Sequence, residues 1–321
     1  MAKLFVGVDV GSVSTNIVIL DEQGSLLFDK YYRNDGQPLR IIQTGMAEIR
    51  DLFKYSIVNG VGTTGSGRLL AGSILGADVI KNEITAHATA TIHYYPDVRT
   101  ILEIGGQDSK VILVKNRIVT DFAMNTVCAA GTGSFLDHQA ERLKIPIEQF
   151  GDLALTAVNR VKIAGRCTVF AESDMIAKQQ LGFSKAEIIN GLCEALVRNY
   201  LTNLARDKHL EGPVIFQGGV AANRGIRAAF ERELKTGITV PRYYDVMGAI
   251  GAALLARNHW EKTGAETRFR GFHQLNLELA PTVFECKGCS NSCEVVRVEQ
   301  GQITIGVWGD KCGKFSNEIS A

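Results

Sequence analysis

Apolar residues open the chain in short blocks. Residues 4–9 form one block ending in Asp-Val-Gly-Ser, residues 17–20 a second, and Gly24 turns the chain into a third strand-like piece over 25–32. The period then lengthens: Leu39, Ile42, Met46, Ile49, Leu52 and Phe53 share one side of a helix predicted over 38–55. Residues 57–61 read as a strand feeding the glycine-rich stretch 62–67. The same order restarts near Arg99. A strand over 100–104 ends in Glu-Ile-Gly-Gly-Gln-Asp, and strands over 110–115 and 117–122 follow around a turn at Asn116. After Gly131 the pattern is mostly helical until 213–217, a buried-strand run followed by Gly218-Gly219. Helical spacing returns over 247–260, 262–274 is polar and reads as a linker, and the tail after Leu275 has only short strand-like runs.

Strand, acidic-glycine turn and strand therefore occur twice, at Asp9 and at Glu103, which predicts two related α/β halves. The expected division is 1–95, 96–257, and an extension over 258–321. A chain of 321 residues with 45% hydrophobic and 21% charged residues has the balance of a soluble globular protein of two ordinary domains. A net charge of +1 gives no field to gather nucleic acid or an anionic membrane, and no apolar stretch is long enough to span a bilayer. The N-terminus runs straight into a strand without a signal-peptide layout, so a cytoplasmic protein is expected.

Asp9-Val-Gly-Ser-Val-Ser-Thr15 joins a strand end to a loop of small residues. Gly11, Ser12, Val13, Ser14 and Thr15 would let backbone N–H groups and hydroxyls approach a phosphate, with Asp9 placed to hold a hydrated Mg²⁺. Alone this reads equally as a turn; the second copy changes that. Glu103, Gly105, Gly106, Gln107 and Asp108 offer another flexible turn, with Gln107 or Asp108 to orient an attacking water. Gly218, Gly219 and Val220 add a third turn, suited to a flat adenine and its ribose. Neither the P-loop nor the dinucleotide fingerprint is present. The three turns in this order resemble the superfamily of acetate and sugar kinases, Hsp70 and actin. That resemblance implies a two-domain α/β ATPase binding ATP/ADP in a hinged cleft, with a small cysteine-rich C-terminal extension added here.

Seven cysteines in a reducing compartment raise the question of metal before that of disulfides. Cys128 and Cys167 each stand just ahead of a helical segment, where free N–H donors suit an anionic iron–sulfur cluster. A [4Fe–4S] cluster takes four thiolates and the pair supplies two; a twofold homodimer completes the count. Cys193, in an amphipathic segment with Ile188, Ile189, Leu192 and Leu196, reads as core. Cys286, Cys289, Cys293 and Cys312 suit zinc or a second iron–sulfur cluster by number alone, or stand as idle thiols. Glu83 and His87, one helical turn apart, read equally as a cleft contact or as a solvated helix face.

Six segments together resemble the activators of 2-hydroxyacyl-CoA dehydratases. They are 9–15, Asn82-Glu-Ile-Thr-Ala-His87, 103–108, Cys128-Ala-Ala-Gly-Thr-Gly133, Cys167-Thr-Val-Phe-Ala-Glu-Ser-Asp174 and Gly218-Gly-Val-Ala221. That is the BadF/BadG/BcrA/BcrD ATPase family, which includes benzoyl-CoA reductase subunits and reductases of double-cubane cluster proteins. The resemblance spans most of the first 257 residues. It implies an oxygen-sensitive homodimer with an intersubunit [4Fe–4S] cluster on Cys128 and Cys167. Such a dimer passes single low-potential electrons from ferredoxin or flavodoxin to a partner iron–sulfur dehydratase or reductase. The tail resembles cysteine-rich segments of larger members, which favours iron–sulfur over zinc by association. Asn16, lysine in many members, is a departure at a phosphate contact. Two other readings stay open: a small-molecule kinase of the same superfamily, and a nucleotide-gated redox sensor or assembly chaperone.

Overall fold

Leucine, valine and phenylalanine fill β1 (Lys3–Val10) on both faces, the composition of a strand covered on each side. In the computed structural model, which describes residues 3–125, 128–165, 167–272 and 279–316, β1 is the middle strand of five. It runs antiparallel to β2 (Ser14–Leu20), which pairs antiparallel with β3 (Leu26–Arg33). On its other side it runs parallel to β4 (Ile57–Thr64), and β4 parallel to the short β5 (Val79–Ile80). The connecting helices are α1 (Pro38–Leu52), which starts on proline, α2 (Arg68–Leu75) and α3 (Glu83–Tyr94).

The second sheet repeats this plan. β6 (Thr100–Ile104), β7 (Ser109–Lys115) and β8 (Ile118–Asn125) form an antiparallel meander. β9 (Val214–Gln217) then lies parallel to β6, and β10 (Ile238–Thr239) parallel to β9. The strand orders β3-β2-β1-β4-β5 and β8-β7-β6-β9-β10 correspond one to one, so the repeated turn in the sequence reflects a repeated topology. Between β8 and β9 come α4 (Gly133–Leu143), α5 (Ile147–Leu155), α6 (Thr168–Gln180) and α7 (Lys185–Leu204), and after β9 comes α8 (Arg224–Leu234). A capping box of Ser184 and Glu187 starts α7, whose central turns are buried on all sides. Cys193 lies fully buried there, and burial pushes its thiol up to about 12, so the core reading holds.

Residues up to Ala86 and from Gly248 onward form one unit, and His87–Met247 the other. The final helix, α9 (Met247–Thr263), explains why the first unit is discontinuous. Residues 248–257, grouped by their sequence with the second half, pack on the first sheet: a Cβ on Gly7 would overlap the Ala249 carbonyl, and one on Gly62 the Ala252 carbonyl. An alanine-rich helix carries no sign of which sheet it covers; the deciding residues are glycines in β1 and β4.

The polar stretch after α9 is not a free linker. Arg268 donates to the Ala77 carbonyl at 2.7 Å and Thr267 to Asp78 at 2.7 Å, while Arg270 reaches the Ser73 carbonyl at 3.1 Å. These partners lie roughly 190 residues away in sequence, which is why charge alone suggested a solvated tether. Beyond it, β11 (Leu279–Glu285), β12 (Glu294–Gln300) and β13 (Ile303–Trp308) form an antiparallel sheet whose Val298 and Ile305 join the core of the first unit.

Because α9 needs the bare backbone of β1, Gly7→Ala is expected to cost about 3 kcal/mol by overpacking. Gly60→Ala meets its first neighbour, a Phe5 ring carbon, only at 3.2 Å and should cost less than about 1 kcal/mol. Urea unfolding of the two variants side by side checks the contrast.

Candidate active site

In the first unit the loop after β1 is pinned from several sides. Gly11 N–H donates to the Ser14 carbonyl at 2.9 Å, closing a tight turn. Asn34 binds the turn twice, its amide donating to the Gly11 carbonyl at 2.7 Å and its N–H to the Val13 carbonyl at 2.9 Å. Thr15 donates to Asn34 Oδ1 at 2.7 Å, so its hydroxyl braces the loop. Ser12 is exposed, while Gly11, Val13 and Ser14 are half-buried. Asp9 faces Thr64 on β4 and Asn16 on β2. Gly65, at φ +90°, passes so close to Asp9 that a Cβ would lie 2.5 Å from its carboxylate. Asn34 escaped sequence reading because its partners sit across a hairpin.

In the second unit, Glu103 and Lys110 are cross-strand neighbours on β6 and β7. The Lys110 ammonium, 2% exposed, lies 2.8 Å from Glu103 and 2.9 Å from Asp108. Burial pushes the Glu103 carboxyl up to about 7, with Lys110 opposing the shift and Asp108 adding to it. One ammonium thus serves two carboxylates and fixes Asp108, which is 28% exposed, at the mouth of the turn, with Gln107 exposed beside it. Lys110 drew no attention in the sequence because it looks like any strand lysine.

The Gly218 turn follows β9, parallel to β6 with Gln217 beside Glu103. Gly218, at φ +87°, has no room for a Cβ beside the Ile104 carbonyl, whereas Gly219 faces open space. Val220 is buried. His87 is buried as well, and its ring Nδ1 lies 2.9 Å from the Gln217 amide, so it supports this turn from α3. The turn at 105–106 is stitched to the cysteine segment. Gly133 N–H donates to the Gly105 carbonyl at 2.9 Å, Ser134 N–H to the Gly106 carbonyl at 2.8 Å, and Ser134 Oγ to the same carbonyl at 2.6 Å.

Cys128 is the N-cap of a short 3₁₀ turn over Ala129–Gly131, and Cys167 is the N-cap of α6, as the sequence predicts. Both thiols are partly exposed. Residues 126, 127 and 166, which complete their motifs, lie outside the described residues. Exposed apolar side chains follow Cys167 (Val169, 66%, and Phe170, 65%) and precede Cys128 (Phe122 and Met124). The four remaining thiols gather at one end of the extension's sheet. Cys286 N–H donates to the Cys293 carbonyl at 2.8 Å, Gly288 N–H approaches Cys286 Sγ at 3.4 Å, and the Phe284 and Phe315 rings meet at 5.3 Å. Even so, among the described residues no three His, Cys, Asp or Glu side chains are arranged to hold a metal ion. Nor is any helix of the described residues long and apolar enough to cross a membrane.

Residues 6–256 match the BadF/BadG/BcrA/BcrD ATPase family. The chain belongs to that family. It is therefore an ATPase, and residues beyond 256 lie outside the match. The chain is 35% identical over 259 residues to the (R)-2-hydroxyglutaryl-CoA dehydratase activating ATPase of Acidaminococcus fermentans, covering 80% of this chain and 98% of that one. Among solved structures it resembles the activator of the 2-hydroxyisocaproyl-CoA dehydratase from Clostridium difficile with bound ADPNP. That likeness has a TM-score of 0.74 and 30% identity, over 82% of this chain and 97% of the other. A ROK family glucokinase from Streptomyces griseus, 16% identical over 79% of this chain and 99% of its own, shares the fold alone at a TM-score of 0.50. The acetate and sugar kinase/Hsp70/actin-like fold is thus shown.

Glu103 takes up a proton on folding between its ordinary value near 4.5 and about 7. Because the native state then binds more protons than the unfolded one, its contribution to stability falls as pH rises through that window and levels off above it. The stability difference between wild type and Glu103→Gln should therefore change between pH 4.5 and pH 7 and stay constant above. Urea midpoints at several pH values check this; a difference that is flat throughout contradicts the buried-carboxyl assignment.

Proposed function

We propose that this ATPase is an iron–sulfur reductase. Two copies share one [4Fe–4S] cluster through Cys128 and Cys167 of each, and single low-potential electrons pass from a ferredoxin or flavodoxin to a partner dehydratase or reductase. The observation that carries the reading is the pair of helix-capping, partly exposed cysteines bordered by exposed apolar side chains. One chain offers two thiolates, each beside backbone N–H donors at the start of a helical turn. An anionic cluster held by four thiolates fits that donor set once a second copy supplies the other two. Val169, Phe170, Phe122 and Met124 would become buried against that copy. Bound there, the cluster would supply one-electron transfer.

The nucleotide role divides among the chain's own residues. In the first unit the pinned loop after β1 offers backbone N–H groups at 12–14 to a phosphate, with Asp9 beside it for a hydrated Mg²⁺; in the second, the turn at 105–108 offers a further set of donors. Lys110 holds Asp108 in position for a water at the turn. The bonds from Gly133 and Ser134 to the Gly105 and Gly106 carbonyls tie that turn to the segment carrying Cys128, a physical route from nucleotide to cluster. The names of the relatives, activators of 2-hydroxyacyl-CoA dehydratases, support a partner of that class. A small-molecule kinase shares the fold but gives the paired cysteines no task.

After anaerobic purification and reconstitution, about four irons per dimer are expected, falling below one in Cys128→Ala and in Cys167→Ala while ATP hydrolysis persists. Iron and sulfide analysis with sizing chromatography makes the check. A colourless, iron-free wild-type dimer after reconstitution would sink the reductase reading and leave the kinase.

A further inference from the structure

The two cysteines lie 39 residues apart in sequence, yet one side chain touches the loops of both. Asn199, on α7 and 4% exposed, donates from Nδ2 to the Gly165 carbonyl at 2.6 Å, two residues ahead of Cys167. The same Nδ2 lies 4.0 Å from Cys128 Sγ. Its Oδ1 accepts from the Asn203 amide at 3.0 Å, which fixes the orientation of the group: nitrogen toward the cysteines, oxygen away. Gly131, in the turn that Cys128 caps, passes so near that a Cβ would come within 2.9 Å of Asn199 Oδ1.

The surroundings hold the loops against α7 at this point. Arg198 donates to the Ile163 carbonyl at 2.6 Å, and the Ala164 N–H donates to Asp174 on α6 at 2.8 Å. A Cβ on Gly165 would come 2.8 Å from the Ala195 carbonyl of α7. The Cys128 turn is tied to β8 separately, its N–H donating to Asn125 Oδ1 at 2.9 Å and its carbonyl accepting from the Asn125 amide at 2.8 Å. Only Asn199, among the hydrogen bonds described, reaches both.

From this geometry we infer that Asn199 is a positioning residue for the cluster ligands, holding the Cys128 and Cys167 loops in fixed relation and directing an amide N–H at the Cys128 sulfur. The inference rests on the proposed reading that both cysteines bind iron. Hydrogen bonds to ligand sulfur stabilise the more negative, reduced cluster, so the amide raises the midpoint potential. A buried leucine removes the donor with little change in volume, and aspartate keeps the shape while replacing the donor by negative charge.

The test reconstitutes wild type, Asn199→Leu, Asn199→Asp and Thr202→Asp, and reads iron content and the midpoint by EPR-monitored titration. Both Asn199 variants are expected to hold the reduced cluster about tenfold less favourably, a midpoint lower by about 59 mV for one electron. Thr202→Asp, an exposed position on the same helix, should move it by less than a third of that. If Asn199→Leu takes up no iron, the midpoint of Asn199→Asp decides. Loaded Asn199 variants with the wild-type midpoint overturn the inference, as does an equal shift in Thr202→Asp, which would reduce the effect to charge. Wild type that takes no iron overturns the cluster reading and this inference together, a result distinct from either.

Discussion

Two backbone hydrogen bonds, from Gly133 and Ser134 to the carbonyls of Gly105 and Gly106, give the second unit its functional character. They join the turn at the end of β6, a phosphate turn on the proposed reading, to a helix start that lies five residues beyond Cys128. Gly133 can do this only because it lacks a side chain: a Cβ there would press on the Gly105 carbonyl at 3.0 Å and on Val220 at 3.1 Å. Three segments that look independent in the sequence, 105–108, 128–134 and 218–221, therefore meet around one glycine. The β6–β9 pairing underneath sets their spacing, with Glu103 beside Gln217.

What the sequence reveals and what it hides divide along a physical line. Turns built from glycine, small hydroxyl residues and a strand-end carboxylate are local, so the loops at Asp9, Glu103 and Gly218 stood out, as did the cysteines opening helical turns. The repeated strand–turn–strand unit was legible for the same reason. Asn34, Lys110 and Asn199 were not, because each acts on partners brought near by the fold: Asn34 across a hairpin, Lys110 across a strand pair, Asn199 over 34 and 71 residues. Such residues carry no local signature; an asparagine in a helix is unremarkable until its partners are known. The placement of α9 on the first sheet and the docking of 267–270 on α2 and the turn after it were hidden likewise.

The extension is held by more than its cysteines. Four cysteines in a short tail suggest metal, and the sheet does bring them to one end. The structure fastens that sheet to the first unit through Val298, Ile305 and Arg270, whose guanidinium reaches the Ile305 carbonyl at 3.3 Å. A small sheet that borrows its core from a larger unit does not need a metal to stay folded, unlike an isolated domain of that size. Cysteine number alone is thus a weaker argument here than it would be in a free-standing module.

α7 connects the cysteine loops and the turn after β6 more tightly than the chain order suggests. Its adjacent residues Asn199 and Tyr200 point to different places. Asn199 faces the cysteine loops, while Tyr200 donates to the Lys110 carbonyl at 2.5 Å, on the strand whose ammonium pairs with Glu103 and Asp108. The peptide units of that turn add a second connection. On the proposed reading, a phosphate accepting from the Gln107 N–H would polarise the peptide it shares with the Gly106 carbonyl, and that carbonyl would then accept more strongly from Ser134. Nucleotide state would be felt at the cysteine segment as a change in hydrogen-bond strength even before any backbone displacement. A ligand shifts an equilibrium only by its differential interaction with the two states. On the proposed reading, the contacts that differ between nucleotide states are those at Gly105–Asp108, which makes this turn the place where ATP hydrolysis would be converted into altered surroundings for the cluster.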